Sequence, residues 1–230
     1  MTPVTITVSG SSTAYHQPER AVLSFLIKHS AESEETVLEN SNITTTLITG
    51  TLKDLSREQN YGSEIEPASV TMFSVGSIRI WWDMAGDPRR LAKAKQSTNQ
   101  QVYHAQVKFE VCFKDFKALN NMLSSFSIDP SVEILRVEWR LAEETRRVMG
   151  SKVRRLAMED AIRKADDYAS AIGRKVTAFD IADPECPDDR AYVAAARMMS
   201  RGDGHDRLVL DLQPKTIEFN AAVKAVFKSE

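Results

Sequence analysis

Two segments of this chain alternate apolar and polar residues over most of their length. Over residues 102–113, Tyr103, Ala105, Val107, Phe109, Val111 and Phe113 point one way, and His104, Gln106, Lys108 and Glu110 point the other. Residues 216–228 repeat the pattern, with Ile217, Phe219, Ala221, Val223, Ala225 and Phe227 on one face. Successive side chains on a strand point to opposite faces, so a period of two reads as a half-buried strand. Strands covered on both faces read as continuous apolar runs instead. The alternation therefore predicts antiparallel sheets with helices packed on one face and a polar face outside. That is an α+β architecture, not a doubly wound nucleotide-binding fold.

The other elements fit the same frame. Residues 4–9 alternate Val4, Ile6 and Val8 with small polar residues, and Gly10 with Ser11, Ser12 and Thr13 follows as the strand's end. Residues 21–29 place Leu23, Phe25 and Ile27 on one face, and the spacing predicts a hairpin between these two strands. Ser33 caps a helix to about Leu55, with Glu34 and Glu35 in its first turn, where the helix dipole favours acids. Its expected inner face is Val37, Leu47, Ile48, Leu52 and Leu55, although its Thr-rich interior and Gly50 oppose helix locally. Residues 58–67 read as loop, and 70–83 as strand. Residues 84–99 read as loop or frayed helix. Asp115 opens a short helix to Phe126. Residues 132–141 set Leu135, Val137, Trp139 and Leu141 against Arg136, Glu138 and Arg140.

A long helix over 143–172 carries a stripe of Met149, Val153, Leu156/Ala157, Ala161, Ala165, Tyr168/Ala169 and Ile172. Alanines let its axis approach a sheet closely at no side-chain entropy cost. Gly173 supplies the left-handed residue that ends it, and a strand follows over 175–181. Residues 183–213 read as a surface loop insertion, with one or two helical turns over 191–200. The whole reads as one domain over 1–230, with two α+β subdomains as the alternative.

Composition narrows the function classes. A formal charge of −2 offers no general field for nucleic acid or anionic lipid. The paired basic groups along the long helix alternate with Glu143, Glu144, Glu159, Asp160, Asp166 and Asp167, so a mixed-charge solvent face is expected. Cys112 and Cys186 form no CxxC pair. No apolar run approaches the roughly 18 residues that span a bilayer. The N-terminal residues lack the basic and apolar regions of a secretory leader, so the expected location is the cytoplasm. The sequon at Asn42 is accordingly expected to stay unmodified.

Taken together, several segments resemble the SIMPL domain family, which includes bacterial periplasmic immunogenic proteins and an animal protein associated with a pelle-like kinase. They are ITVSG (residues 6–10), Pro18-Glu19-Arg20-Ala21, VYHAQVKFEV (102–111), DFKALNNML (115–123) and the alanine-striped helix with IGRKV after it. Their order and spacing carry the likeness. The resemblance implies an α+β fold and oligomerisation, in some bacterial members into channel-like rings, and it implies no catalytic residue. Pro18-Glu19 departs from the family's more usual Pro-Asp.

No nucleophile elbow, phosphate loop, dinucleotide fingerprint or metalloprotease helix occurs. His104 falls on a polar strand face, and His205 sits in an acidic loop cluster. His16 and His29, with Glu19 between them, suggest a small-ligand or metal pocket as the alternative reading. Trp81, flanked by Arg79 and Asp83 on the polar face, is the strongest interface candidate, because Trp and Arg are enriched at binding hot spots. Arg136 and Arg140 on another polar face join it. The expectation is a non-enzymatic, self-associating scaffold or adaptor with no cofactor. Its partner would be a second copy or another protein, with neither nucleic acid nor membrane.

Overall fold

The computed structural model describes residues 3–57, 59–61, 64–66, 68–84, 101–183, 194–197 and 213–229. In chain order the strands are β1 (Thr5–His16), β2 (Arg20–Ala31), β3 (Gln59–Tyr61), β4 (Glu64–Glu66), β5 (Val70–Val75), β6 (Arg79–Met84), β7 (Gln101–Phe113), β8 (Val132–Arg140), β9 (Val176–Ala182), β10 (Ala194–Arg197) and β11 (Ile217–Ser229). The helices are α1 (Glu34–Leu55), α2 (Phe116–Phe126) and α3 (Glu143–Ala171). The fold is α+β with antiparallel sheets. It divides into two compact units: Met1–Glu19, Trp139–Ala194 and Pro214–Glu230 form one, and Arg20–Glu138 with Ala195–Gln213 the other.

The first unit is a three-stranded sheet, β1-β11-β9, with α3 lying on β1 and β11. The alternating face of β11 is buried as the sequence predicts, from Ile217 to Phe227. On the helix, Met149, Val153, Ala157, Ala161, Ala165 and Ala169 are buried, but Leu156, Tyr168 and Ile172 stand exposed. The stripe is narrower than expected because it steps every fourth residue. Each step turns about 40° around the helix, so contact persists only over a surface that twists beneath it, as long antiparallel ribbons do. A Schellman motif closes α3. Gly173 (φ 64°) is its left-handed residue; its N–H donates to Ser170 O (3.1 Å), and Arg174 N–H donates to Ala169 O (2.9 Å).

Gly10 explains why those positions are alanines. It is not the end of a strand but the middle of β1, opposite Val223. A Cβ at Gly10 would lie 2.0 Å from Ala157 O, 2.7 Å from Ala161 N and 2.9 Å from Ala161 Cβ. The helix backbone therefore rests directly on the strand backbone, and glycine inside a strand marks such a close approach. Ser12 Oγ adds a 2.6 Å bond to Val153 O. The expected hairpin between β1 and β2 does not form: β1 pairs with β11, whereas β2 pairs with β7.

The second unit holds the sheet β10-β8-β2-β7-β5, with β6 also on β7. Phe25 stacks on Phe109 (4.9 Å between centroids) and meets Phe126 of α2 (4.7 Å). Asp115 caps α2 by accepting from Lys117 N–H at 2.8 Å. Helix α1 lies over β2, β7 and β5 and buries Val37, Ser41 and Leu52. Leu47, expected inside, is 67% exposed, because the inner face runs from Val37 and Ser41 past the half-buried Ile48 to Leu52. That packing overrides the poor local propensity. Contrary to the polar outer face expected throughout, β2 is buried continuously from Ala21 to Ile27, as its run AVLSFLI suits. Glu138, on the expected polar side of β8, is 2% exposed.

Residues 58–67 contain the β3–β4 hairpin rather than only loop. The strand expected over 70–83 is two strands: three residues, 76–78, oppose two of β7 between the pairs Val75–Phe109 and Arg79–Gln106, which makes a bulge. Ala194–Arg197 is a strand, not a helical turn. The rest of the segment 184–212 and residues 85–100, with the loops expected there, lie outside the described residues.

Substituting Gly10→Ala should destabilise the protein by about 3 kcal/mol or more, because backbone rather than a movable side chain blocks the new methyl. Gly50→Ala, where nothing lies within 4 Å, should raise stability by ~0.5–1 kcal/mol. Denaturant unfolding of both variants checks the contrast.

Candidate functional site

A sheet-based protein meets other chains most readily at strand edges, where backbone N–H and C=O groups lack a partner strand. The first unit shows how one edge is closed. Strand β1 is the outer strand of its sheet. Its Ser11 N–H donates to Asp160 Oδ2 (3.1 Å), and its Ser9 O accepts from Lys164 Nζ (2.9 Å). Asp160 and Lys164 also pair with each other at 2.6 Å, and Arg163 joins Asp160. Helix α3 thus caps the strand edge with side chains of both signs. These pairs, with Glu143–Arg146 and Glu143–Arg147, form the mixed-charge face expected of the helix. At the other edge of this sheet, β9 is bulged against Val226 and Phe227, and Lys228 Nζ sits 3.2 Å over the Phe179 ring. The bulge discourages further pairing along β9.

Strand β6 in the second unit is different. It pairs with β7 on one side, and among the described residues no strand lies on its other side. Every residue of it is exposed. Ile80 (38%), Trp81 (40%), Trp82 (56%) and Met84 (50%) present apolar area on both faces. Register with β7 puts Arg79, Trp81 and Asp83 on the face of Gln106, His104 and Val102. Ile80, Trp82 and Met84 share the face of Ala105, Tyr103 and Gln101. The sequence singled out Trp81 but not Ile80, Trp82 or Met84. Two adjacent tryptophans on opposite faces of one short strand were the available signal, because a strand with one buried face hides one of them.

Trp81 stacks on His104 at 5.4 Å and 22°. His104 Nδ1 shares a 2.7 Å hydrogen bond with Ser30 Oγ, and its Nε2 lies 3.2 Å from Asp83 Oδ1 without hydrogen-bond alignment. The ring lies on the polar strand face as expected, but it is held by its neighbours. It is the floor that holds Trp81 in place. Beside it, Arg79, Ile80, Trp81 and Gln106 line a shallow depression of about 330 Å³.

The four residues grouped as a candidate interface lie on two strands, β6 and β8. Arg79 and Trp81 lie together. Arg136 is on β8, three strand spacings or roughly 14 Å across the sheet, and its Nε bonds Glu138 Oε1 at 2.9 Å. Arg140 belongs to the other unit, where its carbonyl accepts from Glu19 N–H (3.0 Å). The residues of the histidine alternative are each engaged locally. His16 Nδ1 lies 2.7 Å from Gln17 O, His29 Nε2 bonds Thr44 Oγ1 of α1 at 3.0 Å, and Glu19 bonds Ala142 N–H and Thr145 Oγ1. Among the described residues no group of three or more His, Cys, Asp or Glu side chains could hold a metal ion. No helix among them is long and apolar enough to cross a membrane.

The chain belongs to the SIMPL family, a protein family of unknown function (DUF541), whose profile matches residues 6–227. No curated protein matches it.

The cap on β1 has a pH signature. The Lys164 hydrogen bond, joined by that of Ser11 N–H, holds the Asp160 carboxyl down at about 2. An unfolded aspartate titrates near ~3.9. A depressed folded value contributes stability that is fully present above that pH and lost as pH falls through the folded value. The stability difference between the wild type and Asp160→Asn should therefore be constant near neutrality and narrow between about pH 4 and pH 2. Denaturation midpoints across that range check this, and a pH-independent difference would count against the cap.

Proposed function

We propose that this chain is a self-associating scaffold or adaptor of SIMPL type, acting by binding rather than catalysis, with strand β6 as its contact edge. The observation that carries the reading is the exposure of β6 on both faces while its outer edge has no partner strand among the described residues. Soluble proteins normally blunt such edges with charge, proline or bulges. Here Arg79 and Asp83 flank two exposed tryptophans, and Trp is the residue most enriched at interface hot spots. The capped edge of β1 supports the reading by contrast. The first partner is a second copy of the chain; another protein presenting an extended strand is the adaptor form of the same chemistry. A cytoplasmic location belongs to the same proposal.

Light scattering of the purified protein at micromolar concentration should give a mass above that of one chain. Trp81→Ala should shift it towards the monomer, weakening association by about tenfold or more. A wild-type protein that stays monomeric at about 100 μM would remove the reading's support.

A further inference from the structure

We infer that β6 pairs with the β6 of a second copy, antiparallel about a two-fold axis at Trp81. This deepens the self-association reading and rests on it. The outer face of β6 reads Arg79, Trp81, Asp83: a cation, an aromatic and an anion at alternate positions. Reversed and laid beside itself with Trp81 opposite Trp81, this row sets Arg79 of each copy against Asp83 of the other. The same register sets Ile80 against Trp82 on the opposite face, twice. Directly opposed side chains in an antiparallel pair are close enough for ion pairing and aromatic contact. The strand is thus complementary to its own reverse on both faces, which is what a two-fold interface requires.

Other registers lose this match. Centring on Ile80 places Arg79 against Trp81 and Asp83 against Ser77. Centring on Trp82 places Trp81 against Asp83. A shift to a centre between residues brings an outer-face residue against an inner-face one, such as Asp83 against Ile80. Only the Trp81 centre pairs both charges and keeps apolar residues together. The side chains are positioned for it. His104 beneath Trp81 fixes the indole, and the Asp83 side chain remains 64% exposed beside His104. Pairing in this way would run the sheet of one copy into that of the next.

A charge exchange tests the register. Arg79→Asp alone faces Asp83 with an acid, and Asp83→Arg alone faces Arg79 with a base. Each variant should associate about tenfold or more weakly than the wild type. An equimolar mixture should recover, because the two chains then present opposite signs at both positions. Recovery to within roughly threefold of wild type by analytical ultracentrifugation is the expected result. Trp81→Cys, in a Cys112→Ser and Cys186→Ser background, gives a second readout. Mild oxidation should cross-link it to a dimer, while Trp82→Cys should not cross-link. Two outcomes overturn the pairing alone: an oligomer that both charge variants leave intact, or weakened variants that do not recover on mixing together with no Trp81→Cys cross-link. A monomeric wild type overturns the self-association reading itself.

Discussion

The contact between Gly10 and the backbone of α3 sets the terms for the first unit. With no side chain at Gly10, the carbonyl of Ala157 and the amide of Ala161 come down to the strand itself. Only small residues can then occupy the helix face, which is why Ala157, Ala161, Ala165 and Ala169 are all buried. That closeness also brings Ser12 to Val153 O, and lets the Asp160 and Lys164 side chains reach round to the strand's outer backbone groups. A larger residue at position 10 would lift the helix and lose the packing, the hydrogen bonds and the edge cap together.

The edge cap gives the exposed strand its meaning. A fold that closes one outer strand with two ionic side chains, and bulges another, leaves β6 carrying tryptophan on both faces. Helix α1 lies over β2, β7 and β5, and every residue of β6 is exposed. The stacking of Trp81 on His104, itself bonded to Ser30, spends local hydrogen bonding on orienting an exposed aromatic. Such an arrangement adds little to a core and much to a contact surface.

Much of the fold was legible where one face is wet. The alternation in β7 and β11, the Asp115 cap, Gly173 and the alanine stripe all have local causes, and each is found, the stripe narrowed to Met149, Val153 and the four alanines. The failures share a different cause. Gly10 and its serines look like a turn because the helix that demands them lies far away in sequence. Residues 21–27 were forced into alternation although only Ser24 interrupts their apolar run. The β1–β2 hairpin looked natural from spacing, yet pairing is decided by partners at the other end of the chain. For the site, Trp81 was legible because its neighbours are charged. Trp82 and Ile80 were not, because nothing local says that the helix layer leaves their face exposed. That Arg136 lies three strands from Trp81 was not legible either, because strand order cannot be read from residue type.

Amide hydrogen exchange followed as a function of protein concentration tests most directly whether β6 is where chains meet. The account predicts that protection of residues 79–84 rises as the protein associates, while that of Ser9 and Ser11 on the capped β1 edge does not change. Association without any slowing of exchange at residues 79–84 would contradict it.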